Sequence, residues 1–149
     1  MLKALSDRPE VGNLERYLRD LLSRRGEEIE FVVLFGSMAR GDWSLGSDYD
    51  LLIGLREDDG KRFIERLEDF SPREGNMNIE VFPYSRSEWQ QMFADFHLLL
   101  LEALAYGIVL RDRGAFAEMR KTFQGWLKSG KVRPWGHGWK IASPKEGDG

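Results

Sequence analysis

The 149-residue sequence contains no cysteine and only two histidines, His97 and His137. Without cysteine the chain can form neither disulfide bonds nor thiolate zinc sites, and it has no cysteine nucleophile. Two histidines forty positions apart also exclude a histidine-rich metal centre and the paired-histidine zinc helix of metalloproteases. A Ser-His-Asp triad stays open, although each histidine is poorly placed for one.

The sequence also lacks a hydrophobic segment long enough to cross a bilayer. Its longest apolar stretch, residues 98–105, is interrupted by Glu102 and is far shorter than the roughly 20 residues that a membrane-spanning helix needs. The N-terminal residues become charged before any apolar core of a signal peptide could form. We therefore expect no membrane association and a cytoplasmic protein.

Neither sign of charge dominates, because 22 basic residues stand against 25 acidic ones and the net charge is −3. This balance gives no general attraction to nucleic acid or anionic membranes, so any such attraction must be local. One segment is locally basic: between Glu118 and Glu146 there is no acidic residue, whereas seven basic residues occur there. They are Arg120, Lys121, Lys128, Lys131, Arg133, Lys140 and Lys145.

Aromatic residues are interspersed in this basic segment, namely Phe123, Trp126, Trp135 and Trp139. Such a segment could stack on a base, grip phosphates or dock on an acidic partner. It could also pack its tryptophans onto the domain and leave its lysines in water, and this second arrangement is slightly favoured. A nucleic-acid partner is not expected, but the segment leaves one open.

Hydrophobic periodicity predicts strands and helices that alternate along the chain. Strands are predicted at residues 29–35, 49–55, 76–84 and 108–110. Helices are predicted at residues 9–25, 38–41 (a single turn), 61–70, 85–106 (with a bend near His97) and around 116–126. The glycine-rich residues 134–139 are expected to form a docked loop. This order predicts an α/β or α+β domain with a small mixed sheet flanked by helices. Residues 1–112 would form the domain, and residues 113–149 a helix and a basic, tryptophan-rich extension packed on it.

The residues suited to chemistry follow the first predicted strand and begin the second. Gly36 lets the chain turn sharply, and the following turn of helix with the Ser37 hydroxyl forms a small cradle for phosphate oxygens. Asp48 and Asp50 are two positions apart, so on a strand their carboxylates share one face, with Cα atoms about 7 Å apart. Oxygen ligands of this kind suit Mg²⁺ or Mn²⁺. A phosphate cradle beside a carboxylate pair is suited to a metal–nucleoside triphosphate.

Glu80 is the candidate for a third carboxylate, which would complete a two-metal site. It lies between Ile79 and Val81, which would point to the opposite face of their strand. The alternative is that Glu80 is an ordinary charge on an edge strand. Asp48 and Asp50 could likewise be solvated residues at a strand start.

These motifs resemble the DNA polymerase β-like nucleotidyltransferase superfamily and, within it, the minimal nucleotidyltransferases of prokaryotes. The resemblance rests on Gly-Ser-Met-Ala-Arg-Gly at residues 36–41, Ser-Asp-Tyr-Asp-Leu at residues 47–51, and Glu80. It extends roughly over residues 29–110. One departure is that the third acid of the family is usually aspartate, and glutamate is one methylene longer.

The resemblance implies a polymerase β-like fold and transfer of a nucleoside monophosphate, AMP from ATP or the corresponding group of another triphosphate, to a hydroxyl. It implies catalytic and metal-binding roles, with Mg²⁺ or Mn²⁺, for Asp48, Asp50 and Glu80. It implies nucleotide-binding roles for Gly36, Ser37, Arg40 and Ser47. Arg40 could instead form a structural ion pair under its loop.

The resemblance further implies a partner, since small members of this family are often antitoxins paired with a HEPN-domain toxin whose tyrosine they adenylylate. The alternative is a catalytically weak or inactive module that keeps the fold and acts by protein–protein binding. A third hypothesis is an aminoglycoside-type or RNA-end nucleotidyltransferase, for which 149 residues leave little room.

Overall fold

The computed structural model describes residues 2–73 and 77–142. Its helices are α1 (Val11–Arg25), α2 (Ser37–Arg40), α3 (Phe63–Phe70), α4 (Arg86–Ala94), α5 (Leu98–Tyr106) and α6 (Ala115–Ser129). Its strands are β1 (Ile29–Phe35), β2 (Tyr49–Leu55), β3 (Ile79–Tyr84), β4 (Ile108–Asp112), β5 (Val132–Trp135) and β6 (Gly138–Ile141). Among the described residues, no helix combines the length and the apolar character that a membrane span requires.

Four strands form a mixed sheet in the order β3-β2-β1-β4. Strand β1 is antiparallel to both of its neighbours, whereas β2 and β3 are parallel. Helices cover both faces of this sheet. The prediction of a small mixed sheet flanked by helices is therefore confirmed.

The apolar sequence of β1 follows from its position between two hydrophobic cores. Val32 and Leu34 belong to the core that α1 closes, whereas Phe31 and Val33 belong to the core formed with α4, α5 and α6. Every residue of β1 is buried. A central strand that is covered on both faces has a continuously apolar sequence instead of one that alternates between apolar and polar residues.

The helix predicted over residues 85–106 is divided into α4 and α5. Its start is as expected, because the Ser85 N–H donates to the Glu88 carboxylate at 2.7 Å in a capping box. The break occurs at Phe96, whose φ of 55° is left-handed and whose ring packs against Trp126 of α6 at 4.8 Å between centroids. His97 then caps α5, since its Nδ1 accepts the N–H of Leu99 at 3.3 Å.

Residues 134–139 form most of a β-hairpin, so the prediction of a docked loop is wrong. Trp135 pairs with Gly138 and encloses a two-residue turn in which Gly136 has a φ of 61°. Two-residue hairpin turns require positive φ, which glycine adopts at little cost. The glycines in this stretch therefore build a regular element and do not prevent one.

The tryptophans of the basic segment divide between partly buried and exposed positions. Trp126 stacks on Phe93 at 4.8 Å, and Trp139 meets Phe123 edge to face at 5.5 Å. Trp135 is 61% exposed; the cationic groups of Arg133 and Lys140 lie 5.4 and 4.6 Å from its ring centroid. Lys145, and Asn76 at the predicted start of the third strand, lie outside the described residues.

Candidate active site

Gly36 connects β1 to α2 and lies directly against Asp50. Its φ of 77° is in the region that favours glycine. A Cβ atom at this position would lie only 2.5 Å from Oδ2 of Asp50. Glycine is therefore needed both for the turn and for the close approach of the Asp50 carboxylate.

Helix α2 is a single turn held in place by the buried side chain of Met38. The N–H groups of Ala39 and Arg40 donate to the Gly36 carbonyl at 3.1 and 3.0 Å. In a helix the N–H groups that precede these have no intrahelical acceptor. The first turn of α2 with the half-buried Ser37 hydroxyl thus has the groups that an anionic oxygen requires.

The three predicted acids lie at the same end of the sheet. Asp50 pairs across the sheet with Phe35 at the end of β1 and with Glu80 on β3. Glu80 is exposed, whereas its neighbours Ile79 and Val81 are buried on the other face, as the alternation predicts. Asp48 is exposed just before β2.

The Asp50 carboxyl is placed unfavourably for its ionised form, by burial and by the two other acids. Burial first, and then the negative charges of Glu80 and Asp48, raise the pKa of Asp50, while Arg40 lowers it; the net result is a pKa of about 6. A half-buried carboxylate beside two others is unfavourable when all three are ionised. A cation at this end of the sheet would remove that repulsion.

The chemistry of these donors fits a divalent metal ion, since carboxylate oxygens are the ligands that Mg²⁺ and Mn²⁺ prefer. Within residues 2–73 and 77–142, however, no three Asp, Glu or His side chains already converge on one point as a coordination shell. The acids are neighbours whose side chains would have to turn toward an ion. Asp48 and Glu80 are exposed and free to do so.

Arg40 forms ion pairs within the protein, which is the alternative to phosphate binding given by the sequence analysis. Its guanidinium donates to Glu102 of α5 and, at 3.3 Å, to Asp42. Although burial works against the charge, these two carboxylates raise the pKa of Arg40. Ser47 is also engaged within its own loop, where its Oγ accepts the Ser44 N–H at 3.0 Å.

A family model described as a nucleotidyltransferase domain matches residues 14–97, more than half of the chain. The matched segment contains all three acids and the Gly-Ser turn. The chain belongs to the nucleotidyltransferase domain family. A search of curated proteins finds no match.

Three solved structures share the fold of this nucleotidyltransferase domain. A structure described as the toxin–antitoxin with AMP-PNP has a TM-score of 0.52 and 14% identity, covering 76% of this chain and 86% of that chain. A mutant of the toxin–antitoxin pair MntA–HpeT, with two aspartates changed to glutamate, has a TM-score of 0.51 and 12% identity over 76% and 86% of the two chains. A second mutant of that pair, with a tyrosine changed to alanine, has a TM-score of 0.51 and 14% identity over 76% and 85%.

Sequence reasoning missed the residues that surround Arg40. In the sequence, Glu102 is recognisable only as the acid that interrupts an apolar run. Its ion pair with Arg40 forms because the fold brings α5 close to the end of α2. The β5–β6 hairpin places Trp139 and His137 opposite Arg40, so that together with Tyr106 they line a cleft of about 300 Å³. No local sequence signal connects these residues, because the hairpin follows Arg40 by more than ninety positions.

Proposed function

We propose that this protein is a Mg²⁺-dependent nucleotidyltransferase that transfers AMP from ATP to a hydroxyl acceptor, and that the acceptor is a tyrosine of a HEPN-type toxin partner. The observation that carries the proposal is the position of Asp50, held between the Gly36 turn and Glu80 with the charge of Asp48 close by. A phosphate cradle and three neighbouring acids are the groups that phosphoryl transfer requires.

The comparisons support the donor and the kind of partner. The family match supports nucleotidyl transfer as the reaction class. The likeness in fold to a toxin–antitoxin structure obtained with AMP-PNP supports an adenine nucleotide as donor and a toxin as partner. Neither the metal nor the HEPN identity of the partner follows from these likenesses, so both belong to the proposal.

Each group of the site has a role in the proposed reaction. Asp48, Asp50 and Glu80 would hold the metal ion, which when bound neutralises triphosphate charge and activates the α-phosphorus. Gly36 and Ser37 hold the β- and γ-phosphates at the first turn of α2. Arg40, at the last residue of α2, and Ser47, in the loop before Asp48, complete the nucleotide-binding set.

The exposed Glu80 also accepts the proton of the acceptor hydroxyl, because it lies on the edge strand where a second molecule can reach it. The acceptor oxygen then forms a bond to the α-phosphorus, and the bond from that phosphorus to the β-phosphate oxygen breaks. Pyrophosphate leaves, and the acceptor carries AMP. Positioning and charge neutralisation supply most of the catalysis in such transfers.

Calorimetric titration of ATP with and without Mg²⁺ tests the proposal without requiring the acceptor. We expect Mg²⁺-dependent binding that disappears in Asp48→Ala and Asp50→Ala, while circular dichroism shows an unchanged fold. Asp95→Ala, which removes an exposed acid at the end of α4, is the matched control and should bind like the wild type. Mg²⁺-dependent labelling of a purified HEPN-type toxin from α-labelled ATP then tests the acceptor.

The alternative function is a nucleotidyltransferase-fold module that acts by docking on a protein partner. The exposed Trp135 between Arg133 and Lys140 favours this alternative, because it forms a basic aromatic surface on an otherwise acidic protein. A folded protein that binds no nucleoside triphosphate would contradict the enzyme proposal and support docking. In that case Asp48→Ala should still bind the toxin, and removal of the segment after Leu127 should weaken binding.

A further inference from the structure

The cleft between Arg40 and the β5–β6 hairpin is a second surface of the candidate site, of which the proposed reaction uses only Arg40. One side is polar and contains Arg40, Asp42 and Glu102; the other contains Tyr106, His137 and Trp139. Its volume of about 300 Å³ is at the lower end of the range for small-molecule sites. The cleft adjoins the acids through helix α2: Arg40 lines the cleft and ends α2, whereas Gly36 at the start of α2 lies against Asp50.

The aromatic side of the cleft is a wall formed by Tyr106 and Trp139. Tyr106 is the last residue of α5 and is 46% exposed; its ring centroid lies 6.3 Å from that of Trp139. Trp139 is fixed from behind by Phe123, which it contacts edge to face at 5.5 Å. Two aromatic rings beside an open volume form a surface on which a planar heteroaromatic group can stack.

The polar side of the cleft does not suit a triphosphate. Arg40 is already paired with two carboxylates, those of Glu102 and Asp42, so the three side chains together carry a net charge of −1. A triphosphate would be repelled by that charge, whereas carboxylate oxygens accept hydrogen bonds from amino groups. The cleft therefore favours an uncharged planar ring that bears an exocyclic amino group.

We propose that this cleft binds the nucleobase of the donor nucleotide, an amino-bearing base such as adenine stacked on the Tyr106–Trp139 wall. This inference rests on the proposed nucleotidyltransferase function and adds the element that selects the base. Because the hairpin follows the matched family segment, which ends at residue 97, base selection is a property of this chain's C-terminal extension.

Calorimetry with three probes in the presence of Mg²⁺ tests this assignment: ATP, UTP and inorganic tripolyphosphate. We expect Tyr106→Ala and Trp139→Leu to weaken ATP binding about tenfold, the order of one lost base–aromatic stack, and to leave tripolyphosphate binding unchanged. The wild type should bind ATP more tightly than UTP, and Asp42→Asn should reduce this difference in affinity. Trp135→Ala is the matched control, since Trp135 lies on the same hairpin but does not line the cleft, and it should bind all three probes like the wild type.

The possible failures are distinguishable. Wild-type affinity for ATP in both Tyr106→Ala and Trp139→Leu would overturn the nucleobase assignment and leave the proposed function intact. Equal loss of ATP and tripolyphosphate in these variants would also overturn it, because the damage would then not be specific to the base. A wild-type protein that binds neither ATP nor tripolyphosphate would overturn the proposed function and the cleft assignment together.

Discussion

Replacing Asp50 by asparagine should make the metal-free protein more stable while removing its ability to bind Mg²⁺–ATP. Burial, Glu80 and Asp48 raise the pKa of this carboxyl to about 6 from its ordinary 3.8. An acid whose pKa is raised in the folded state binds its proton more tightly there than in the unfolded chain. The free energy of unfolding therefore falls as pH rises from about 4 to 6. Above that range Asp50 is ionised in the folded state, and the full destabilising penalty of its charge is present.

The size of this penalty follows from the shift. A difference of about two pKa units corresponds to about 3 kcal/mol if the group were fully shielded from water. Asp50 is only half-buried, and solvent screening reduces the value, so we expect Asp50→Asn to raise the free energy of unfolding by about 1 kcal/mol. Asparagine has nearly the same shape, and the variant should leave the packing unchanged.

Urea denaturation at pH 8 in the presence of a chelator measures this gain. Glu57→Gln, which removes an exposed acid, is the control and should change stability by less than about 0.5 kcal/mol. Raising the Mg²⁺ concentration should stabilise the wild type and not Asp50→Asn, because the variant lacks the Asp50 carboxylate between the other two proposed ligands. An Asp50→Asn variant that is no more stable than the wild type at pH 8 would refute the conclusion that burial and the neighbouring acids raise the pKa of Asp50.

Four further substitutions test the geometry, each by the free energy of unfolding in urea. Gly36→Ala should cost about 2 kcal/mol and abolish ATP binding in calorimetry, because its Cβ would lie 2.5 Å from Asp50; a variant that binds ATP normally would contradict this. Arg66→Met should lower the free energy of unfolding by about 3 kcal/mol. The Arg66 side chain is 1% exposed and pairs with the carboxylates of Asp59 and Glu88, which the variant would leave without this partner. Gly107→Ala should lower the free energy of unfolding by about 2 kcal/mol, because its Cβ would lie 2.3 Å from a backbone oxygen. Gly125→Ala, on the open surface of α6, should instead raise the free energy of unfolding by about 0.5 to 1 kcal/mol.

The elements that could be predicted are those specified by local pattern. The strands β1 and β2 have the predicted bounds, since each is an apolar run covered on both faces and flanked by turn residues. The spacing of Asp48 and Asp50 likewise predicted two acids at the start of one strand; in the structure Asp50 lies in β2, and Asp48 lies just before it. Their proximity to Glu80 needed one more fact, the parallel register of β2 and β3, and neither strand specifies that register by itself.

The features that could not be predicted depend on contacts between distant segments. The break at Phe96 accompanies its packing on Trp126 of α6, and the partner of Arg40 is Glu102, 62 positions later. The hairpin was misjudged for another reason, since glycine marks both loops and two-residue turns. What distinguishes the two is the pairing across the strands, such as that of Pro134 with Trp139, which the sequence does not show.

The position of Asp50 along β2 explains how a sheet of buried strands can present an ionisable acid. Tyr49, Leu51 and Leu52 are fully buried, whereas Asp50 is only half-buried, because it lies at the end of the sheet beside Gly36. An acid two positions further along, at the site of Leu52, would lie on the same face but deep in the core, where it would stay protonated and hold no cation. A slip of one residue would turn it to the opposite face. The register of β2 therefore decides whether this carboxylate can serve a metal ion, and Gly36 leaves the space in which it does so.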